Sequence, residues 1–251
     1  MLSKAQISLV TSLQHKKFRK QHGLFLVEGI KSVLEFISSN YQIHSIFTTA
    51  EAAAKMPNLP QKIKYVEVSA AEFHKISTLT NPQGVLALVH LPEAEAFDWT
   101  IVRNEHSLLL DDIQDPGNLG TIIRTAEWFG IRQLICSLGT VDAYNSKVVQ
   151  ATMGSLARIK ITYTDLVDFI ADAQLPTYGA VLHGESIYKT DFGKAGLIIM
   201  GNEGNGISPA LLEAVEHAVT IPRVGEAESL NVAIATTIFC SELTRQSLAK
   251  K

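Results

Sequence analysis

"DDIQDPGNLGTIIRTAEWFG", Asp111 to Gly130, is the stretch on which the fold turns. The apolar run Ser107-Leu108-Leu109-Leu110 leads into it as a buried strand does, and a helical pattern leaves it. On a helical wheel Leu119, Ile122, Ile123, Ala126 and Phe129 share one side, the face that a core requires. Thr121, Arg124 and Trp128 fall roughly opposite, so Arg124 lies outside its own helix's apolar stripe. Between strand and helix come two carboxylates, a Pro-Gly turn, Asn118 and Gly120. In an open α/β sheet ligands bind outside the carboxyl ends of strands, and this turn sits at such an end. Gly117 and Gly120 allow close backbone approach, and the free N–H groups of a helix start favour an anion. Asn118 either caps the helix or presents its amide to a ligand. Arg124 is either a solvated surface arginine or the group that serves that ligand.

Outward from this stretch the alternation of strand and helix continues to the chain end. "RQLICSL", "ARIKITY", "TYGAVLH", "GLIIMG" and "AVTIP" read as strands. "NSKVVQATMGSL", "DLVDFIADAQ", "SPALLEAV" and a segment from about Ser229 read as helices. Apolar strands between amphipathic helices predict a mostly parallel sheet covered on both faces. Upstream, residues 4–22 predict one helix, with Ile7, Val10 and Leu13 as its stripe and Gly23 as its stop. "LFLVEG", "IHSIFTT", "KIKYVEVS" and "GVLALVHL" predict strands, and "IKSVLEFISS" and "AAEFHKIS" helices, of a small α/β unit. "PEAEAFDWTIVRNEH" breaks the pattern with Pro92 and several charges. The expected organisation is a domain over 1–91, a linker over 92–106 and a second domain over 107–251.

Composition narrows the chemistry. The 251 residues suffice for one large or two ordinary domains, and a net charge of −3 excludes a uniformly basic nucleic-acid coat. The two cysteines, Cys136 and Cys240, stand in apolar stretches and read as buried reduced thiols. The first residues lack a signal-peptide core and no apolar run is long enough to span a bilayer, so a soluble cytoplasmic protein is expected. The eight histidines are scattered without metal-ligand spacing, and no metal is expected.

Two further polar turns follow strands. "GLIIMGNEGNGIS" (196–208) carries Gly201, Gly204 and Gly206, with Ser208-Pro209 opening the next helix. It lacks the Gly-Lys-Ser/Thr of a phosphate loop and the G-x-G-x-x-G order of a dinucleotide fold. Glu203 at its centre repels a pyrophosphate, so an uncharged or cationic ligand part suits it, unless the turn is only a tight one with a solvated carboxylate. "TIPRVGEAESLNVAIATTIFCSEL" (220–243) places Ser229, a good N-cap by type, and Asn231 before a helix that is apolar nearly all round.

Together these three stretches resemble the three motifs of the SpoU/TrmH family of RNA ribose 2′-O-methyltransferases, of the SPOUT class. The first motif is matched at Asn118, Gly120 and Arg124-Thr125-Ala126, the second in "IIMGNEGNGIS" with Glu203, the third in "IPRVGEAESLNVAIAT" with Ser229, Leu230 and Asn231. "FLVEG" (25–29) and its surroundings resemble the family's small ribosomal-protein-like (L30e-like) substrate-binding domain. The resemblance implies an α/β SPOUT-type parallel sheet whose C-terminal segment is threaded as a trefoil knot, an exception to the unknotted rule. It implies S-adenosylmethionine as cofactor, held by Gly201, Ile221 and Leu230 with Asn202 and Gly206. It implies a homodimer through the catalytic domain, and RNA as substrate, ribosomal RNA before transfer RNA.

By the same resemblance Arg124 is the residue at the reacting hydroxyl. A guanidinium holds its proton too firmly to serve as a base, so a grip on the adjacent phosphate and the developing alkoxide is the expected role. Asn118, Glu203, Ser229 and Asn231 are expected to orient it and to shape the pocket. RNA is expected to meet Lys16, Lys17, Arg19 and Lys20, a cluster with no acidic residue before Glu28. The competing readings are a base methyltransferase of the same class, an inactive RNA-binding relative and a nucleotide-phosphate enzyme.

Overall fold

The computed structural model describes residues 2–56, 62–93 and 97–249. The chain forms two compact units, Met1–Glu93 with Asp142–Ala157, and Ala94–Val141 with Arg158–Lys251. Within the second domain expected over 107–251, the segment 142–157 packs with the first unit.

In that unit α1 (Lys4–Ser12), α2 (Lys16–His22), β1 (Leu24–Glu28), α3 (Ile30–Ile37) and β2 (Ile43–Thr48) come first. They are followed by α4 (Ala50–Ala53), β3 (Tyr65–Glu67), α5 (Ala70–Phe73) and β4 (Val85–His90). The sheet order is β1-β4-β2-β3, with β4 antiparallel to β1 and β2, and β3 parallel to β2. Leu24, Phe25, Leu26 and Val27 are all buried, so β1 is covered on both faces. Part of that cover comes from the late segment. The Tyr144 ring lies 4.8 Å from that of Phe25, and its hydroxyl is 3.3 Å from that of Tyr41.

The single helix expected over 4–22 is two. α1 ends at Ser12 with Leu13 as its C-cap, α2 starts after His15, and Gly23 closes α2 in the left-handed conformation, φ 63°. The break frees backbone carbonyls, and Arg19 fills them: its Nη1 donates to the oxygens of Leu13 and Gln14, each at 2.9 Å. Its Nε and Nη2 donate to Asp142 Oδ2 at 3.2 and 2.6 Å. Arg19 is 2% exposed, so the expectation that it meets RNA is corrected; its guanidinium is spent inside the fold. Lys16, Lys17 and Lys20 are exposed.

The second unit begins with α6 (Trp99–Asn104), inside the stretch expected as linker. Asp98 caps it by accepting from the N–H groups of Thr100 and Ile101, and Val102 is fully buried. Trp99 stacks on Phe169 at 5.6 Å. Residues 94–96 of the expected linker lie outside the described residues. β5 (His106–Leu110), α7 (Pro116–Trp128) and β6 (Gln133–Cys136) follow, and then α8 (Ser146–Ala151), in the segment given to the first unit. β7 (Lys160–Tyr163), α9 (Leu166–Ala173), β8 (Thr177–Ser186), β9 (Gly196–Met200), α10 (Pro209–Leu212), β10 (His217–Thr220) and α11 (Val232–Ala249) complete the order.

The sheet runs β10-β8-β9-β5-β6-β7 and every neighbouring pair is parallel, as the alternation predicts. Leu108, Leu109, Leu134, Ile135, Ile198 and Ile199 are fully buried, which is what a sheet covered on both faces demands. Cys136 and Cys240 are buried free thiols. Burial pushes both thiol pKa values up, that of Cys240 to about 12, so neither is a nucleophile. Among the described residues no helix is long and apolar enough to cross a membrane.

Candidate active site

The three polar turns follow β5, β9 and β10, so a parallel sheet delivers all of them to one edge, that of the carboxyl ends. The first turn is shaped by its acids. Asp111 is buried and accepts the Ser208 N–H at 2.7 Å, tying the first turn to the end of the second. Asp112 has φ 56°, a left-handed conformation that aspartate tolerates better than most residues. Asp115 caps α7, accepting the Asn118 N–H at 2.8 Å, with Pro116 in the first helical turn. Of the two uses open to Asn118, the cap is thus taken by Asp115, and the Asn118 amide is left for other work.

That work is a relay of side chains. Asn118 Nδ2 donates to Glu203 Oε1 at 2.9 Å, and Asn231 Nδ2 donates to Asn118 Oδ1 at 2.9 Å. One residue from each turn is thereby joined in a single chain. The Glu203 carboxylate also accepts from the N–H groups of Gln114 and Asp115, both at 3.4 Å. It is therefore held against the start of α7 rather than solvated alone. Asn231 Oδ1 accepts from the N–H groups of Ala233 and Ile234, so Asn231, and not Ser229, caps α11. Ser229 is exposed and its hydroxyl meets no described residue.

The second turn is built backbone on backbone. Asn202 and Gly206 exchange both N–H···O bonds, at 2.9 and 3.0 Å. Asn202 Oδ1 accepts from the N–H groups of Gly204 and Asn205, and its Nδ2 donates to the Asp112 carbonyl at 2.7 Å. A Cβ on Gly201 would stand 2.2 Å from the Gly206 carbonyl carbon, so no other residue fits there. Asn202 thus sets the turn that presents Glu203.

Of the other expected cofactor residues, Ile221 is half-buried directly after β10 and Leu230 is half-exposed directly before Asn231. An apolar neighbour not singled out in the sequence joins them. The β8–β10 pairing skips residues 180–184, and Thr220 Oγ1 holds the carbonyl of Leu182, which is 65% exposed. These residues suit S-adenosylmethionine: glycine backbone and apolar side chains for an adenosine, and a carboxylate but no lysine or arginine within 201–207. A triphosphate would lack its clamp and face Glu203.

Arg124 projects from the outer face of α7, exposed and without an ion-pair or hydrogen-bond partner among the described residues. Leu119, Ile122, Ile123 and Ala126 on the opposite face are fully buried. The same outer face carries Trp128, 81% exposed. The structure therefore joins Asn118, Glu203 and Asn231 directly and leaves Arg124 and Ser229 available to a substrate. Sequence reading overlooked Asp111, Asp112 and Asp115. Asp115-Pro116 carried the cap-then-proline signal; the other two depend on partners about 90 residues or more away along the chain, as the Asn202 and Ser208 bonds show.

The chain belongs to the SpoU rRNA methylase family, whose model matches residues 105–241. Residues 4–87 match the MRM3-like substrate binding domain. Among its relatives is the 23S rRNA (guanosine(2553)-2′-O)-methyltransferase RlmP of Bacillus subtilis, 32% identical over 236 residues, 92% of each chain. Among solved structures, a TrmH-family protein from Porphyromonas gingivalis superposes with a TM-score of 0.89 at 40% identity, over 98% of this chain and 99% of that one. The AdoMet-bound rRNA methyltransferase from Sinorhizobium meliloti gives a TM-score of 0.84 at 29% identity, over 98% and 96%.

Proposed function

We propose that this protein transfers a methyl group from S-adenosylmethionine to a ribose 2′-hydroxyl of RNA, ribosomal RNA first. The observation that carries the reading is the Asn231–Asn118–Glu203 relay, which ties the three family turns together. The cofactor supplies an electrophilic methyl on sulfonium. Gly201, Asn202, Gly206, Ile221 and Leu230 would hold it, the apolar side chains suiting its adenosine.

The chain's own residues supply position and charge. Asn118 spends both ends of its amide on Glu203 and Asn231, so it fixes α7 rather than touching substrate. Arg124, on that fixed helix, would grip the phosphate beside the acceptor ribose and stabilise the oxygen as its O–H bond breaks, the proton leaving to water while the oxygen–methyl bond forms and the methyl–sulfur bond breaks. Holding hydroxyl and methyl in line supplies several kcal/mol of the barrier by position alone. Ser229 offers a free hydroxyl to the ribose. Glu203 keeps the pocket free of phosphate groups other than the one Arg124 holds.

The proposal includes the trefoil knot. It is supported by the path of the chain: β10 lies at the sheet edge, three places from β5, yet Asn231 reaches Asn118 and α11 packs on α7. The N-terminal unit is proposed as an L30e-like RNA-binding domain, with Lys16, Lys17 and Lys20 as phosphate contacts. A homodimer of the catalytic unit through α11 is also proposed. α11 buries Val232, Thr236, Phe239 and Leu243 within its own unit, but leaves Ile234 52% and Leu248 65% exposed for a second copy to cover. Light scattering at micromolar concentration should give the mass of two chains; a monomer would remove this part of the reading.

The test of the activity is labelled methyl transfer from S-adenosylmethionine to purified ribosomal and transfer RNA, followed by mapping of 2′-O-methyl sites. Label in ribosomal RNA is expected. Label in transfer RNA alone would move the substrate, and no label in any RNA would end the proposal.

A further inference from the structure

The first unit holds a cavity of about 470 Å³ whose walls include Ile30, Ala52, Lys55, Phe73, His74 and Gln83. None of these belongs to the site described above. We propose that the cavity receives one unpaired nucleotide of the RNA substrate, turned out of its stack. This rests on the RNA methyltransferase reading and adds where the RNA is held.

Size and lining both suit a nucleotide. The volume lies in the range of small-ligand sites, ~300–1,000 Å³. Ile30, half-buried at the cavity wall, gives an apolar contact for the edge of a base, with Ala52 and Phe73 buried behind it as a firm floor. Gln83 gives a fixed polar edge. Its Oε1 accepts the Ile30 N–H at 3.0 Å, while its Nε2 donates to no described residue and is free for a base carbonyl. Lys55 pairs with Glu51 at 2.7 Å, and both are exposed, so a phosphate can compete for that ammonium. His74 adds a donor, and exposed Lys31 and Lys75 follow Ile30 and His74 in the chain. Proteins that read RNA by sequence bind unstacked bases in this manner, with an apolar face and hydrogen bonds to the base edge.

The site is also held in shape. Gly84 has φ +77°, and a Cβ there would stand 2.5 Å from Thr49 Oγ1, so only glycine lets the Gln83 loop lie this close to Thr49. Glu28 accepts the N–H and hydroxyl of Thr78, both at 2.9 Å, and the Ser77 hydroxyl, which anchors the segment leading to Gln83. Bound nucleotide would therefore meet a wall already formed, which lowers the ordering cost of binding.

The test uses the full chain, ribosomal RNA as substrate and two independent variants at exposed positions. Gln83→Ala with His74→Ala removes the polar edge. Ala70→Trp, at an exposed lining residue, fills the space and removes no hydrogen bond. In both, KM for RNA should rise about tenfold, a loss of about 1.4 kcal/mol, while kcat at saturating RNA and S-adenosylmethionine affinity stay within twofold. An unchanged KM in both variants, with the wild type methylating RNA, would overturn the cavity and leave the activity standing. A wild type that labels no RNA would overturn both.

Discussion

Replacing Arg124 by alanine should lower methyl transfer by about 10²–10³-fold or more, with S-adenosylmethionine affinity within a few-fold of wild type. Arg124 is exposed on α7, opposite the buried Leu119–Ile122–Ile123–Ala126 face, so its removal takes nothing from the core. It also has no partner among the described residues, so no buried charge is orphaned. The loss falls on the transition state, where charge develops on the ribose oxygen and no other cation of the three turns is joined to the relay. Arg124→Lys should recover little, because an ammonium cannot reproduce the two-pronged grip on phosphate. Calorimetry that found the cofactor no longer bound, with the fold intact, would contradict this assignment.

Arg19→Ala should act on stability and not on chemistry. Arg19 is 2% exposed and its guanidinium serves Leu13, Gln14 and Asp142. Truncation leaves the Asp142 carboxylate, 16% exposed, with the Tyr144 N–H but without its cation, and leaves two backbone carbonyls after α1 without their donor. Removing one member of such a buried pair costs about 3–5 kcal/mol. At roughly 2–4 °C per kcal/mol for a protein of this size, Tm should fall by about 6–20 °C. Arg19→Lys should be intermediate, since one ammonium cannot span all three partners. Lys16→Ala, on the exposed side of the same helix, should change stability by less than about 0.5 kcal/mol. Unchanged melting of Arg19→Ala together with weakened RNA binding would return Arg19 to the RNA-binding surface.

Arg19 also marks the limit of what the chain reveals before it folds. Four basic residues within five positions read as a solvated cluster, and for Lys16, Lys17 and Lys20 that holds. The fourth turns inward because its carboxylate partner stands 123 positions away, a separation over which no local periodicity carries information. The same distance hides the placing of 142–157, whose Tyr144 completes the cover of Phe25. By contrast the parallel sheet was legible throughout, since strands buried on both faces must be apolar along their whole length. The three turns were legible as well, because glycine, cap and proline preferences are local. Within them the finer assignments moved by two or three residues. Asp115 took the cap offered to Asn118, and Asn231 took the one offered to Ser229. Sequence position names the residue types able to cap, but the bond goes to the one whose backbone stands outside the first turn. α6 was missed because Phe97, Trp99 and Val102 make too short a pattern amid charged neighbours.

The central claim is that the three joined turns and Arg124 transfer a methyl group to a ribose 2′-oxygen. The most direct measurement uses two RNAs identical but for one atom: the mapped substrate, and the same RNA with 2′-deoxyribose at the modified nucleotide. Label from S-adenosylmethionine should enter the first and not the second, with both bound to similar affinity. Equal labelling of the deoxy substrate would place the methyl group on a base and contradict the account.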